Sequence, residues 1–146
     1  VEATWKQLLN EWYTEEYQGK GFQEGTVVIL SEKGERVRSK SEKILADYFY
    51  RRNILYKYEK PLYLKGYGTV YPDFTFLSKK IGKEIYWEHE GMVDKQEYAR
   101  SAVRKIEFYQ KNDIYPGDRL ILTFETEQSI LNSKTIEGLV NRYLQF

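Results

Sequence analysis

Four stretches of the chain repeat apolar residues at intervals of three and four, the spacing that places them on one face of an α-helix. The first has Thr4 as its predicted N-cap. Its apolar face consists of Trp5, Leu8, Leu9, Trp12 and Tyr13. The second follows a capping-box sequence at residues 39–42, and Asn53 is expected to end it in the left-handed conformation. A further capping-box sequence at residues 94–97 predicts the third helix, and Ser133 is the expected cap of the fourth.

Between these helices the apolar residues form short runs or alternate with polar ones, which is typical of β-strands. Three strands are predicted at residues 54–58, 70–77 and 84–89, and the first is expected to continue into residues 62–64. A fourth is predicted at residues 119–124, after a Pro-Gly turn. From residue 39 onwards the predicted order is α-β-β-β-α-β-α, which indicates a mixed α/β domain.

The pattern divides the chain into a helical N-terminal extension, residues 1–32, and an α/β domain, residues 33–146. No apolar run approaches the ~20 residues that a transmembrane helix requires, so we expect no membrane partner. We expect a cytoplasmic location. Because the sequence begins with Val1 rather than methionine, we also expect it to be part of a longer protein with further domains. Nothing in the pattern indicates an oligomeric state.

The composition removes several classes of chemistry. The chain has no cysteine and one histidine, His89, which excludes disulfides, thiol catalysis, Fe–S clusters and zinc sites of the Cys/His kind. A catalytic serine would depend entirely on that histidine, which we expect to be a hydrogen-bonded packing residue. Any metal must therefore be held mainly by oxygen ligands, which suit a hard cation such as Mg²⁺ or Mn²⁺.

Two carboxylates are expected to meet on neighbouring strands of the predicted sheet. Asp73 lies in the second strand and Glu88 in the third. Because side chains alternate along a strand, Glu88 and Glu90 share one face and His89 lies on the other. A hairpin between the two strands would set Asp73 beside Glu88. Two carboxylates this close repel each other unless a divalent cation lies between them, so the sequence predicts a metal site here.

The Pro72-Asp73 dipeptide, the fifteen-residue step to Glu88 and the α-β-β-β-α-β order together resemble the PD-(D/E)XK nuclease superfamily. The resemblance covers roughly residues 37–125 and implies a restriction-endonuclease-like core, a mixed central sheet flanked by helices. It implies hydrolysis of phosphodiester bonds with Mg²⁺ or Mn²⁺ held by Asp73 and Glu88. DNA is the expected substrate and RNA the alternative. Glu42 occupies the place where the first core helix of that superfamily often carries a glutamate, which implies a contact with the same metal.

The chain differs from this superfamily at the lysine, which should follow Glu88 by two positions. That position holds Glu90. Some members of the superfamily use glutamate there, and others take the lysine from the following helix, where this chain has Lys105. Lys105 and Tyr109 are spaced like the Gln-x-x-x-Tyr sequence of exonuclease-type branches. The resemblance thus implies catalytic roles for Asp73, Glu88 and either Lys105 or Glu90, and a nucleic-acid contact for Tyr109.

The charge is unevenly distributed along the chain. The net charge is +1, but residues 33–65 contain ten Lys or Arg and four acidic residues. Arg38, Lys40 and Lys43 lie near the start of the second helix, where cationic side chains and backbone N–H groups can both hold phosphate. We expect these residues to contact nucleic acid; a solvated helix face is the alternative interpretation.

Simpler interpretations remain for several residues. Glu42 is also the N3 residue of its capping box, Glu90 precedes a glycine and could leave the sheet for solvent, and Lys105 could be a solvated helix lysine. An alternative function is a catalytically inactive module that keeps the fold for nucleic-acid binding or protein assembly. The glutamate at the usual lysine position and the low net charge favour it. A carboxylate-pair glycosidase agrees less well with the order of the elements.

Overall fold

Four helices surround a mixed β-sheet. The computed structural model describes residues 2–144. The helices are α1 (Trp5–Thr14), α2 (Lys40–Arg51), α3 (Gln96–Lys111) and α4 (Ser133–Tyr143). None of these helices is long and apolar enough to cross a membrane. The α/β class, with four helices at the expected places, is as the sequence predicted.

The ends of the helices agree with the sequence prediction at three places and differ at two. Thr4 and Ser39 cap α1 and α2, and Asn53 has a positive φ of 56° after α2. No side chain caps α3, because the carboxylate of Asp94 accepts from the N–H of Glu127 instead. At α4 the prediction is wrong by one residue, since the cap is Asn132, whose side chain accepts from the N–H of Thr135.

The described residues form eight strands. They are β1 (Ile29–Leu30), β2 (Arg36–Val37), β3 (Lys57–Tyr58), β4 (Leu62–Leu64), β5 (Gly68–Val70), β6 (Phe74–Leu77), β7 (Glu84–Glu90) and β8 (Leu120–Phe124). The central sheet has the order β3-β6-β7-β8, while β1-β2 and β4-β5 are separate hairpins. Strands β3, β6 and β7 pair antiparallel, and β8 pairs parallel to β7. The parallel pair follows from α3, which carries the chain back across the sheet.

Two predicted strands are shorter than expected. The first was expected to run from residue 54 to residue 64, but Glu59 adopts a positive φ of 52°, which turns the chain after β3. The second was expected at residues 70–77, but Pro72 cannot donate a ladder hydrogen bond, and the chain is not strand from residue 71 to residue 73. The extra pieces form the β4-β5 hairpin, which adds to the predicted order without changing the sheet.

The sheet is covered on both faces. On one face α2 and α4 contribute to a core that includes Phe49, Phe74, Phe76, Trp87 and Ile136, all fully buried. On the other face a smaller apolar cluster joins α3 and the β4-β5 hairpin to the sheet through Leu64, Val70, Tyr86, Tyr109 and Leu120. The alternation of side chains along β7 therefore assigns its odd residues to the α2 face and its even residues to the α3 face.

The N-terminal extension packs against the same sheet. Trp12 of α1 donates its indole N–H to Glu84 at the start of β7, and Tyr17 donates its hydroxyl to the carbonyl of Tyr58. Lys57 donates its ammonium to the carbonyl of Glu15. The predicted boundary at residue 32 falls inside the β1-β2 hairpin. The extension is thus attached to β3 and β7 by long-range hydrogen bonds.

We expect Phe49→Ala to lower the free energy of unfolding by about 3–5 kcal/mol, because the ring is fully buried among other aromatic side chains. Its centroid lies 5.0–5.8 Å from those of Tyr56, Phe74, Phe76 and Trp87. Urea unfolding followed by far-UV circular dichroism measures the change. The control is Tyr50→Ala, the next residue of the helix, whose side chain is half exposed and should cost much less. Equal losses would contradict this core.

Candidate functional site

Asp73 and Glu88 face each other across two antiparallel strands. The register pairs Phe74 with Trp87, and one further step along it sets Asp73 opposite Glu88. Directly opposed residues of an antiparallel pair point to the same face. Oδ2 of Asp73 also accepts a 2.6 Å hydrogen bond from the backbone N–H of His89, which fixes the carboxylate against β7.

Both carboxylates line one cavity of about 360 Å³ on the α3 face of the sheet. The other charged residues around it are Lys20, Arg38, Glu42, Glu59, Glu90 and Lys105. The structure therefore brings together all the residues predicted as catalytic or metal-binding. Glu59 and Lys20 were not predicted. No motif pointed to Lys20, and Glu59 reaches the cavity through its left-handed backbone, which sequence spacing does not reveal.

Lys105 extends from α3 into this cavity. Its Nζ lies 3.3 Å from Oε1 of Glu88 and 3.4 Å from Oε1 of Glu90. Glu88 and Glu90 are almost fully buried, so this ammonium provides positive charge where two carboxylates have lost water. The interpretation of Lys105 as a solvated helix lysine is wrong.

Tyr109, one turn after Lys105, supports the same carboxylate. Its hydroxyl donates a 2.7 Å hydrogen bond to Oε2 of Glu88. The side chain is fully buried, so it has no surface for the nucleic-acid contact that the resemblance implied. That assignment is corrected: Tyr109 orients Glu88. The Lys105-x-x-x-Tyr109 spacing serves to place two donors of one helix face on one carboxylate.

Burial and neighbouring charges shift the pKa values of the groups in the cavity. Burial, followed by the negative charges of Glu88 and Glu42, raises the pKa of Asp73 well above its usual value. Burial also raises the pKa of Glu88, although Lys105 and Tyr109 oppose the shift. Burial by itself would lower the pKa of Lys105, but the neighbouring carboxylates raise it overall. Lys105 therefore remains an ammonium, and acts as a charge rather than as a base.

Glu42 reaches the cavity from α2 but is already well bonded. Ser39 caps the helix by accepting from the N–H of Glu42, yet the Glu42 side chain does not return to the cap residue. Its Oε1 accepts instead from the N–H of Arg38 and the hydroxyl of Tyr58. Of the two hydrogen bonds of a capping box, the one to the Ser39 side chain is present and the one to the Glu42 side chain is not. The buried carboxylate of Glu42 lines the cavity instead.

Glu90 ends β7 and is buried, so the interpretation that it leaves the sheet for solvent is wrong. The strand is one residue longer than predicted because the carbonyl of Glu90 accepts from the N–H of Glu125. Oε1 of Glu90 is buried without a hydrogen-bond partner among the described residues, and only Lys105 compensates its charge. An oxygen in this state is ready to accept a bond from a ligand.

The predicted phosphate-binding residues differ in whether their charges are already paired with a carboxylate. Arg38 lines the cavity but donates Nε and Nη2 to the carboxylate of Glu59. Lys43 pairs with Asp47 at 2.9 Å. Lys40 is exposed and forms no ion pair within residues 2–144. Of the three, Lys40 is the cation that can reach a phosphate without losing a partner.

A second hydrogen-bond network holds the end of β7 from the opposite face. His89 bonds Thr123 through Nδ1 at 2.7 Å and Glu125 through Nε2 at 2.6 Å. Glu125 also accepts from the hydroxyl of Ser41 at the start of α2. His89 is therefore a hydrogen-bonded packing residue, as expected. Glu125 was missed, because it follows β8 and only the parallel pairing brings it beside His89.

Oxygen ligands for a hard cation are present, although they are few. Asp73 and Glu88 could hold one ion between them, and Mg²⁺ often uses only one or two carboxylates together with water. Burial and the negative charges of Glu88 and Glu42 raise the pKa of Asp73, and a cation between the carboxylates would offset both. No group of three or more acidic or histidine side chains in residues 2–144 is arranged to hold a metal.

The chain is similar to part of a longer archaeal protein. The chain is 33% identical over 125 residues to the uncharacterized protein MJ1519 of Methanocaldococcus jannaschii. The matched region covers 76% of this chain and 10% of that protein, so the chain spans about a tenth of the length of the curated relative it matches. No protein-family model matches the chain, and no solved structure shows a significant match.

We expect Asp73→Asn to raise the free energy of unfolding at pH 8 in the presence of a chelator, by about 1 kcal/mol. The raised pKa means that ionised Asp73 costs stability above that pKa; the cost falls as the pH drops and is absent below the ordinary pKa of aspartate. The gain should therefore vanish on acidification to about pH 3.5. Urea unfolding at several pH values measures it. Asp118→Asn, in an exposed turn, is the control and should show no such trend. A gain that is the same at every pH would contradict the assigned repulsion.

Proposed function

We propose that the chain is a divalent-metal-dependent nuclease of the PD-(D/E)XK kind, with a restriction-endonuclease-like fold, which hydrolyses phosphodiester bonds in DNA. One observation carries the proposal: Lys105 brings its ammonium to Glu88 and Glu90 in the cavity that Asp73 also lines. In this proposal Lys105 of α3 has the role of the lysine that the superfamily usually carries at the position of Glu90 in β7. The order of the central sheet and its covering helices supports the same assignment.

The proposed metal is Mg²⁺ or Mn²⁺. Asp73 and Glu88 would hold it, with water completing the shell, and Glu42 would act through one of those waters because its Oε1 is occupied. The buried, unpartnered Oε1 of Glu90 is a further oxygen that can accept from such a water. When bound, the ion would lower the pKa of an attacking water and offset the charge that develops on the phosphate.

The protein's own residues would orient the reacting groups and stabilise charge. Tyr109 and the N–H of His89 hold the carboxylates of Glu88 and Asp73 in fixed positions before substrate arrives. Lys105 stays protonated and would stabilise the negative charge on the phosphate oxygens in the transition state. Glu90 would accept a hydrogen bond from the attacking water and orient it.

A catalytically inactive module remains the second candidate, and one observation favours it. The ammonium of Lys105 is paired with two carboxylates, and the described residues contain no set of three acidic or histidine side chains that is arranged to hold a metal. In such a module Lys105 would only neutralise buried charge. The chain would then bind nucleic acid, or assemble with another protein, without cleaving.

We expect Lys105→Ala to reduce the rate of cleavage of a labelled oligonucleotide by about a hundredfold, because it removes a cation from the transition state. The Mg²⁺ affinity, measured by calorimetry, should not fall, because the variant removes a cation that competes for the carboxylate of Glu88. Asp73→Asn should lose both activity and metal binding. The control is Arg100→Ala, which removes an exposed cation from the same helix.

Two results would decide against these roles. Cleavage that survives Lys105→Ala but is lost in Glu90→Gln would assign the central role to Glu90. A parent protein that cleaves neither DNA nor RNA with Mg²⁺ or Mn²⁺, yet binds one of them, would establish the inactive module instead.

We expect the affinity for duplex DNA to fall steeply with salt, and Lys40→Ala to flatten the log–log slope by about 0.9, the value for one lost phosphate contact. Lys40 is the predicted contact whose charge is uncompensated within the described chain. Fluorescence anisotropy at several salt concentrations measures the slope. Lys80→Ala, in the turn between β6 and β7 at the opposite end of the sheet, is the control. Equal slopes for both variants would mean that Lys40 is only a solvated surface lysine.

A further inference from the structure

An exposed aromatic side chain stands at the edge of the carboxylate cavity. Tyr67 lies in the turn of the β4-β5 hairpin and is 38% exposed. It lines the same cavity as Asp73, Glu88 and Lys105, and also a small adjoining cavity of about 130 Å³ beside Glu90. No role in the reaction proposed above uses this ring.

The turn is fixed in place by α3. Asn112, at the C-terminal end of that helix, accepts from the N–H of Lys65 and donates to the carbonyl of the same residue. Gly66 has a positive φ of 87°, and a Cβ there would come within 3.3 Å of the Phe108 ring. A side chain at this position would push the turn away from the helix, so glycine is what allows the close approach. Tyr67 is thus presented by a rigid support before any ligand binds.

One cation lies beside the Tyr67 ring, and two lie beside the neighbouring Phe108 ring. The Tyr67 and Phe108 centroids are 5.2 Å apart, and the guanidinium carbon of Arg104 lies 5.8 Å from the first ring and 5.0 Å from the second. Nζ of Lys111 lies 4.5 Å from the Phe108 ring. Neither Arg104 nor Lys111 forms an ion pair within residues 2–144. An aromatic pair with these cations beside it is suited to a ligand that has both a flat apolar face and a negative charge.

A nucleotide has these two properties, and only an unpaired one offers its base face freely. In a duplex both faces of a base are covered by its neighbours, so a protein ring cannot stack there without opening the helix. We propose that Tyr67 stacks on an unpaired base next to the phosphate in the cavity, so that the site takes single-stranded nucleic acid. This inference rests on the nuclease function proposed above. Arg104 would hold the adjoining phosphate.

The test compares the binding of fluorescein-labelled single strands and a duplex by the full 146-residue chain. The probes are dT12, rU12 and a 12-base-pair DNA, in buffer with Ca²⁺ to neutralise the carboxylates. Anisotropy should show that Tyr67→Ala weakens single-strand binding by about fivefold or more, with little change for the duplex. Tyr67→Phe keeps the ring and should bind like the parent. Tyr115→Ala removes an exposed ring near the start of β8, at the far end of the sheet, and is the control.

The outcomes separate this inference from the nuclease proposal. A parent protein that cleaves in Mg²⁺ while Tyr67→Ala binds single strands as well as the parent does, or loses single strand and duplex equally, overturns only the stacking role. A parent protein that neither binds nor cleaves any of the three probes overturns both. Selective loss of dT12, of rU12 or of both supports stacking and identifies the sugar that the site accepts. Circular dichroism and thermal unfolding of each variant show that the fold is kept.

Discussion

The structure around the cavity depends on one electrostatic constraint: several carboxylates are gathered where water is largely excluded. Glu42, Glu88 and Glu90 are almost fully buried, and Asp73 lies among them. Burying a charge costs free energy unless the charge is paired or hydrogen-bonded, and here the carboxylates are stabilised in several ways. The carboxylate of Asp73 accepts a hydrogen bond from a backbone N–H. That of Glu88 accepts from a lysine and a tyrosine, and that of Glu42 accepts from a tyrosine and a backbone N–H. Glu90 shares the lysine of Glu88, and its Oε1 has no hydrogen-bond partner among the described residues.

These stabilising groups come from α3, from β7, from β3 and from the segment before α2, which explains why the surrounding fold is so closely tied to the cavity. The helix α3 must lie flat on the sheet so that Lys105 and Tyr109 reach β7, and the smaller apolar cluster on that face holds it there. On the opposite face of the sheet, hydrogen bonds from His89 to Thr123 and Glu125 fix β7. The end of β7 is therefore fixed from both sides of the sheet, and its carboxylates are positioned before a ligand binds.

The sequence was sufficient where local rules decide the structure. Helical spacing located all four helices, and the alternation of side chains correctly placed Asp73 and Glu88 on one face. It failed where a single backbone conformation or a distant partner decides. The left-handed backbone of Glu59 and the ladder break at Pro72 divide two predicted strands, so that residues 62–64 and 68–70 form a separate hairpin. Long-range packing of α3, β7 and β8 determines the burial of Tyr109 and Glu90 and the hydrogen bonds of Glu125. Local sequence patterns do not reveal such packing.

The contact between Lys105 and Glu90 also has a consequence for how a site of the proposed kind could change during evolution. It joins a helix position to the strand position where the proposed nuclease assignment expects lysine, and the two opposite charges lie 3.4 Å apart. A lineage could gain Glu90→Lys while Lys105 is still present, and only later lose the helix lysine. At no step would a buried carboxylate lack a cation. The positive charge can in this way move between two places in the chain while it stays at one place in space, and the linear spacing of a motif can change although the chemistry does not.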